Sequence, residues 1–387
     1  ELMLQFQGNI PSKLPQTGTS IFAVMSKMAA EHKAINLSQG FPDFPIDTQL
    51  IELVNKAMRK GHNQYAPMPG LPKLREAIAE KIFNTYQINY SPDTEITVTA
   101  GATQALFTAI AAFVGEGDEV IVFEPAYDSY APAVKACGGL VKYAQLKQPD
   151  FHIDWDEVKR MVSNRTRMVI INSPHNPTGS LLTEKDLKAL EALTRQSDIL
   201  VLSDEVYEHL IFDGNTHQSV CRYPELASRS LVTASFGKTF HATGWKMGYV
   251  LAPENLMAAF RKLHQFVVFA VNTPIQHAIA EYLSNPDHYQ QLNNFYQQKR
   301  DSFIQNLSQS RFKITPAKGT YFQVLDYSVI SELTEMEFAE KLIKEHGIAS
   351  VPLAPFYHQN INNHQLRFCF AKTDETLQKA AEILCKI

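Results

Sequence analysis

Ser235-Phe236-Gly237-Lys238-Thr239-Phe240-His241-Ala242-Thr243-Gly244-Trp245-Lys246-Met247-Gly248-Tyr249 is the stretch around which the chain is organised. The preceding Leu231-Val232-Thr233-Ala234, apolar and β-branched, reads as a buried strand, so Ser235 to Lys238 fall where that strand leaves a sheet. Ligands of open α/β sheets bind at strand ends, and a partly desolvated lysine there can lose its proton and condense with an aldehyde. Lys246 lies close enough in sequence to do ionic work beside it. Taken alone, a lysine next to glycine is far more often a solvated loop charge. Gly237-Lys238-Thr239 ends like a nucleotide phosphate loop, but that pattern needs a glycine at position 232, where Val232 stands.

Outward from this stretch, 387 residues with 45% hydrophobic content suffice for a large core and two domains. A net charge of -4 gives no broad attraction to nucleic acid or to an anionic membrane. No apolar run approaches the roughly 18 residues needed to span a bilayer. Cys137, Cys221, Cys369 and Cys385 have neither metal-like nor disulfide-framework spacing, which suits a reducing compartment, and a cytoplasmic location is expected. The opening Glu1 to Gly8 lacks the basic region of a signal peptide. The 13 histidines show no His-Glu-x-x-His spacing, which argues against a metal enzyme.

Residues 1 to 47 are punctuated by proline and glycine and read as an arm carrying one helix from Ser20 to Ala30. A helix from Thr48 to Lys60 ends at Gly61 and another runs to about Tyr86, after the turn-rich Asn63-Gln64-Tyr65-Ala66-Pro67. Strands are then predicted at 96–99, 120–123, 140–144, 168–171, 199–202, 231–234 and 247–251, alternating with helices, the pattern of a largely parallel covered sheet. Pro274 opens a helical section broken at Asn285-Pro286. Beyond Phe312 the texture becomes α+β, with strands at 321–325 and 365–370 and helices near 336–345 and 375–387.

Four further segments sit at predicted strand ends. Gly101-Ala102-Thr103, opening a helix, offers free backbone N–H groups to an anion, although small residues start many helices that bind nothing. Tyr127, in Glu124-Pro125-Ala126-Tyr127-Asp128-Ser129-Tyr130, places a ring where a flat ligand could stack, or simply packs. Asn176, in Pro174-His175-Asn176-Pro177, belongs to a turn and can donate to a phenolate-like oxygen. Asp204, in Ser203-Asp204-Glu205-Val206-Tyr207-Glu208, either caps a following helix or, if buried, requires a charged partner. Tyr207 is expected on the same helical face as Asp204.

In this order these segments, with Asn63-Gln64-Tyr65, Thr243-Gly244-Trp245-Lys246 and Arg367-Phe368-Cys369-Phe370, resemble the class I and II aminotransferases of fold type I over essentially the whole chain. Among them methionine and kynurenine aminotransferases look most similar. The resemblance implies an α/β fold: a large domain over 48–278 with a mostly parallel seven-stranded sheet, a smaller α+β domain over 279–387, and the arm over 1–47 joining the latter. It implies pyridoxal 5'-phosphate, with Lys238 as the covalent attachment, Asp204 pairing with the ring nitrogen, Asn176 and Tyr207 on the ring oxygen, and Tyr127 stacked on the ring. Gly101, Ala102, Thr103, Ser235 and Lys246 would hold the phosphate, joined by Tyr65 from a second subunit of a homodimer. Lys246 departs from the arginine of many relatives, trading a fork for a point charge. Arg367 would take the substrate carboxylate, helped by Gly40 and Asn176, and the freed Lys238 would carry the α-proton.

The implied reaction moves an amino group from an amino acid to a 2-oxo acid. A carbon–sulfur lyase or an aspartate-type enzyme would use the same site, and a ligand-binding regulator would use the same fold, though the chain has no spare basic segment for DNA. A dicarboxylate substrate needs a second cation opposite Arg367, yet Gln265 to Thr273 contains neither Arg nor Lys. With Ile21, Phe22 and Tyr65 apolar or aromatic, the expectation is a pocket for methionine first, then kynurenine, phenylalanine, tyrosine or leucine.

Overall fold

The computed structural model describes residues 3–387, so Glu1 and Leu2 of the expected arm lie outside the described residues. Strand β1 (Ile35–Asn36) follows helix α1 (Ile21–Glu31), whose Ser20 cap accepts from Phe22 N. Helices α2 (Thr48–Arg59), capped by Asp47, and α3 (Pro72–Tyr86) precede the alternating region. There β2 (Ile96–Thr99), β3 (Glu119–Glu124), β4 (Leu140–Gln145), β5 (Thr166–Asn172), β6 (Leu200–Asp204), β7 (Ser230–Ser235) and β8 (Gly248–Leu251) make one sheet. Its order is β2-β8-β7-β6-β5-β3-β4, and every neighbouring pair is parallel except those of β8. Helices cover both faces, so runs such as Val120-Ile121-Val122 and Leu231-Val232 are buried on both sides and show no alternation.

The C-terminal part carries β9 (Lys313–Ile314), β10 (Phe322–Asp326), β11 (Ile348–Ala349), β12 (Val351–Pro352) and β13 (Gln365–Cys369). An antiparallel sheet runs β12-β13-β10-β9, while β11 pairs in parallel with β1 of the arm. The predicted strands all form, within two residues at each end. The two-residue strands are too short to show a period, whereas the helix Glu254–Val267 is amphipathic and buries Met257, Phe260 and His264.

Parallel strands β3, β5, β6 and β7 discharge their C-terminal ends on one edge, and helix α4 (Gly101–Phe113) begins there after β2. That edge receives residues 124–130, 172–176, 204–207 and 235–238. One expectation fails locally: residues 206–209 form a turn, so Asp204 caps no helix and Tyr207 shares no helical face with it. The backbone there is instead tied sideways, with Glu205 N donating to Thr233 O. Lys238 likewise sits not in an open turn but in the short helix Phe236–Thr239, where Ser235 Oγ accepts from its N–H.

Candidate active site

A cavity of about 330 Å³ opens over this edge, lined among others by Phe22, Gly40, Tyr127, Asn176, Asp204, Tyr207, Lys238 and Arg367. Gly101, Ala102, Thr103, Ser235 and Lys246 line it as well. The candidate residues read from the sequence thus meet in one place, except Tyr65 and the apolar Ile21, which do not line it. That ring is 82% exposed, edge-on to Phe269 at 5.0 Å, outside its own chain's cavity.

Lys238 Nζ donates to Gly40 O at 2.9 Å and to the Tyr321 hydroxyl at 3.1 Å. Burial, aided by Arg367 and Lys246 and opposed by Cys369 and Asp204, lowers its pKa to about 8, so the neutral amine is accessible near physiological pH. Asp204 is buried at the end of β6, where desolvation raises its pKa to about 6 against the hydrogen bonds from Tyr130 and Val206 N. The Tyr130 hydroxyl donates to Oδ2 at 2.5 Å, and Asn172 Nδ2 donates to the Asp204 carbonyl at 2.9 Å.

Arg367, 1% exposed on β13, donates from Nη1 to Asn176 Oδ1 at 2.7 Å and from Nη2 to Ser38 O at 2.9 Å. Its Nε is buried without a protein partner among the described residues. The guanidinium lies 3.7 Å over the Phe322 ring, with Phe22 and Phe356 at 5.2 and 5.6 Å. Such a cation is held by planar stacking and keeps donor capacity for a carboxylate. The Gly40 carbonyl is turned to Lys238 and Tyr321, so the oxygen that braces Arg367 from the arm is that of Ser38. Tyr207, also buried, packs edge-on to Tyr321 and Phe322.

At the start of α4, Gly101 has φ +78°, and a Cβ there would lie 3.2 Å from Lys246 Cε and 3.3 Å from its Nζ. The glycine therefore leaves room for a cation beside N–H groups that have no intrahelical partner. Such a cradle could hold a dianionic phosphate. At the other end a buried carboxylate of raised pKa lacks a cationic partner, and between them an amine of lowered pKa faces the cavity. The residues present fit a phosphorylated pyridine aldehyde. Among the described residues no cluster of His, Cys, Asp or Glu could hold a metal ion.

Tyr130, Tyr321, Phe322, Asn172 and Ser38 complete the site and were not singled out in the sequence. Tyr130 and Asn172 do fall inside the strand-end segments already quoted, and burial of a polar ring beside an acid is the property that marks Tyr130. Nothing local distinguishes Ser38 or Tyr321.

Residues 32–384 match the family model for aminotransferase class I and II. The chain is 49% identical over 374 residues to methionine aminotransferase of Escherichia coli, covering 96% of this chain and 97% of that one. It is 33% identical to human kynurenine–oxoglutarate transaminase 1, covering 93% and 94% of the two chains. Its structure is similar to the E. coli crystal structure identified with a methionine aminotransferase function, with a TM-score of 0.96 at 49% identity over 98% of this chain and 100% of that one. N-succinyldiaminopimelate aminotransferase of Mycobacterium tuberculosis superposes with a TM-score of 0.94 at 36% identity, covering 98% and 100%.

Proposed function

This chain belongs to the class I and II aminotransferases and is a pyridoxal-phosphate-dependent transaminase of fold type I; from that premise we propose that its amino donor is an uncharged, apolar amino acid, methionine first. The observation that carries the proposal is the surroundings of Arg367. Three phenylalanine rings stand around the guanidinium, and among the described residues Lys238 and Lys246 are the only other Lys or Arg side chains lining the cavity. Lys246 is committed to the phosphate cradle by its place over Gly101 and Lys238 to the amine chemistry, so a side-chain carboxylate would be buried unpaired. A thioether against aromatic rings is favourable instead. The E. coli relative named for methionine agrees in direction.

In this reading Gly101, Ala102, Thr103, Ser235 and Lys246 hold the phosphate, Tyr127 lies against the ring, and Asn176 and Tyr207 serve the ring oxygen. Bound pyridoxal phosphate supplies an electron sink for the pair left when the substrate α-proton departs. Lys238 holds and moves that proton at Nζ, and its lowered pKa keeps the base form available. Asp204, as a carboxylate, stabilises positive charge at the ring nitrogen, which its buried setting makes strong. Arg367 orients the substrate carboxylate, and the apolar walls exclude water from the reacting carbon.

We draw the domain boundaries at 47/48 and 278/279, and the pairing of β1 with β11 supports grouping the arm with the C-terminal part. The exposed Tyr65, Phe266 and Phe269 support a homodimer in which Tyr65 serves the partner's phosphate site. Four free cysteines accord with a cytoplasmic setting, and among the described residues no helix is long and apolar enough to cross a membrane. The test of the substrate proposal is the ratio of kcat/KM for methionine and aspartate under one 2-oxo acid acceptor. A ratio above about a hundred is expected, since an unpaired buried charge costs at least about 3 kcal/mol. Preference for aspartate would overturn it.

A further inference from the structure

Tyr321 stands just before β10, which begins at Phe322, and both side chains reach the candidate site. The Tyr321 hydroxyl lies 3.1 Å from Lys238 Nζ, while the Phe322 ring lies 3.7 Å from the Arg367 guanidinium. The residue before them, Thr320, has a φ of +69°. A β-branched residue in the left-handed region is strained, and such a conformation persists only where its surroundings dictate it. Here they do: Thr320 is fully buried, its N–H donates to Leu210 O at 3.0 Å, and its Oγ1 accepts from Phe322 N at 3.1 Å. The two preceding N–H groups, of Lys318 and Gly319, both donate to Gly179 O.

We propose that Tyr321 is a positioning residue for Lys238, its hydroxyl and the Gly40 carbonyl forming a saddle that aims Nζ across the cavity, with the left-handed Thr320 placing that hydroxyl. The Tyr321 hydroxyl donates to Gly40 O at 2.5 Å, so three remote pieces of chain, at 40, 238 and 321, close a triangle of hydrogen bonds. The hydroxyl suits both forms of the amine. Toward the ammonium it accepts a hydrogen bond while donating to Gly40; toward the neutral amine it can rotate and donate to the lone pair, leaving Gly40 O to accept from Nζ. Burial holds the Tyr321 phenol well above its ordinary pKa, so it remains a neutral donor throughout. The other groups acting on Nζ are Asp204 and Cys369, which favour the ammonium, and Arg367 and Lys246, which oppose it, with the Tyr207 ring at 5.7 Å.

The inference rests on Lys238 being the reacting amine, but its test reads that amine directly. In cofactor-free protein, the pH dependence of Lys238 acylation by acetic anhydride, followed by peptide mass spectrometry, reports the amine's titration midpoint. Tyr321→Phe removes one of two acceptors from the ammonium and only a weaker bond from the neutral amine. The midpoint should therefore move down by about half to one pH unit. In the loaded enzyme kcat should fall with little change in KM for the amino donor, while the thermal midpoint of folding stays close to wild type. An unchanged or raised acylation midpoint in Tyr321→Phe would overturn the proposal. If another lysine proved to carry the cofactor, borohydride mapping would show that, and the acylation result would stand apart from it.

Discussion

Replacing Asp204 by asparagine separates what this residue costs the fold from what it contributes to turnover. The carboxylate is 3% exposed and burial raises its pKa from 3.8 to about 6. Because the folded value lies above the unfolded one, the native state takes up the extra proton between those two values. The penalty for keeping the group ionised grows through that window and is complete above about pH 6. A difference of roughly two units corresponds to about 3 kcal/mol. Asparagine keeps the shape and an acceptor for Tyr130 without the charge, so cofactor-free Asp204→Asn should be more stable than wild type by up to about 3 kcal/mol at pH 8. That advantage should shrink to about half at pH 5. Urea unfolding of the two proteins at a matched protomer concentration, across this pH range, is the assay. The same substitution should lower kcat about a hundredfold or more, because the positive charge it served loses its partner. A variant that is less stable at pH 8, or whose advantage does not depend on pH, would refute the burial argument; near-normal turnover would refute the electrostatic one.

Borohydride reduction of the cofactor-saturated protein should label Lys238 alone, and peptide mapping to a different lysine would end that assignment. Tyr130→Phe removes the short bond that lowers the Asp204 pKa, so in cofactor-free protein the pH window over which Asp204→Asn gains its stability advantage should move to higher pH; an unmoved window would show that Tyr130 only packs. Mixing Lys238→Ala chains with Tyr65→Phe chains should regain activity through hybrid dimers holding one site with both residues intact. Full activity from a monomer in sedimentation would contradict the homodimer.

Strand placement, and which residues emerge at the sheet edge, were legible in the sequence because both are local, whereas the roles of those residues rested on the resemblance to a family. Runs buried on both faces announce themselves without partners, and a residue directly after such a run must emerge at the sheet edge. Lys238, Asp204, Asn176 and Tyr127 are all of that kind. In Ser203-Asp204-Glu205-Val206-Tyr207-Glu208, however, three acids stand within five positions, and which of them faces the cavity is not written in their spacing. Glu208 turns inward to Lys81 at 3.2 Å and to the Tyr86 hydroxyl at 2.7 Å, while Glu205 pairs with His217 at 2.7 Å. A buried carboxylate goes where donors await it, and those donors come from helix α3, far back in the chain, and from His217 in the loop that follows. Asp204 alone is left toward the cavity, with only Tyr130 as side-chain donor. The same holds for Tyr321, Phe322 and Ser38, whose positions depend on a strained residue held by Leu210 and on an arm paired with β11. Such contacts join segments hundreds of residues apart, and only the closing of the tertiary structure brings their donors and acceptors within reach.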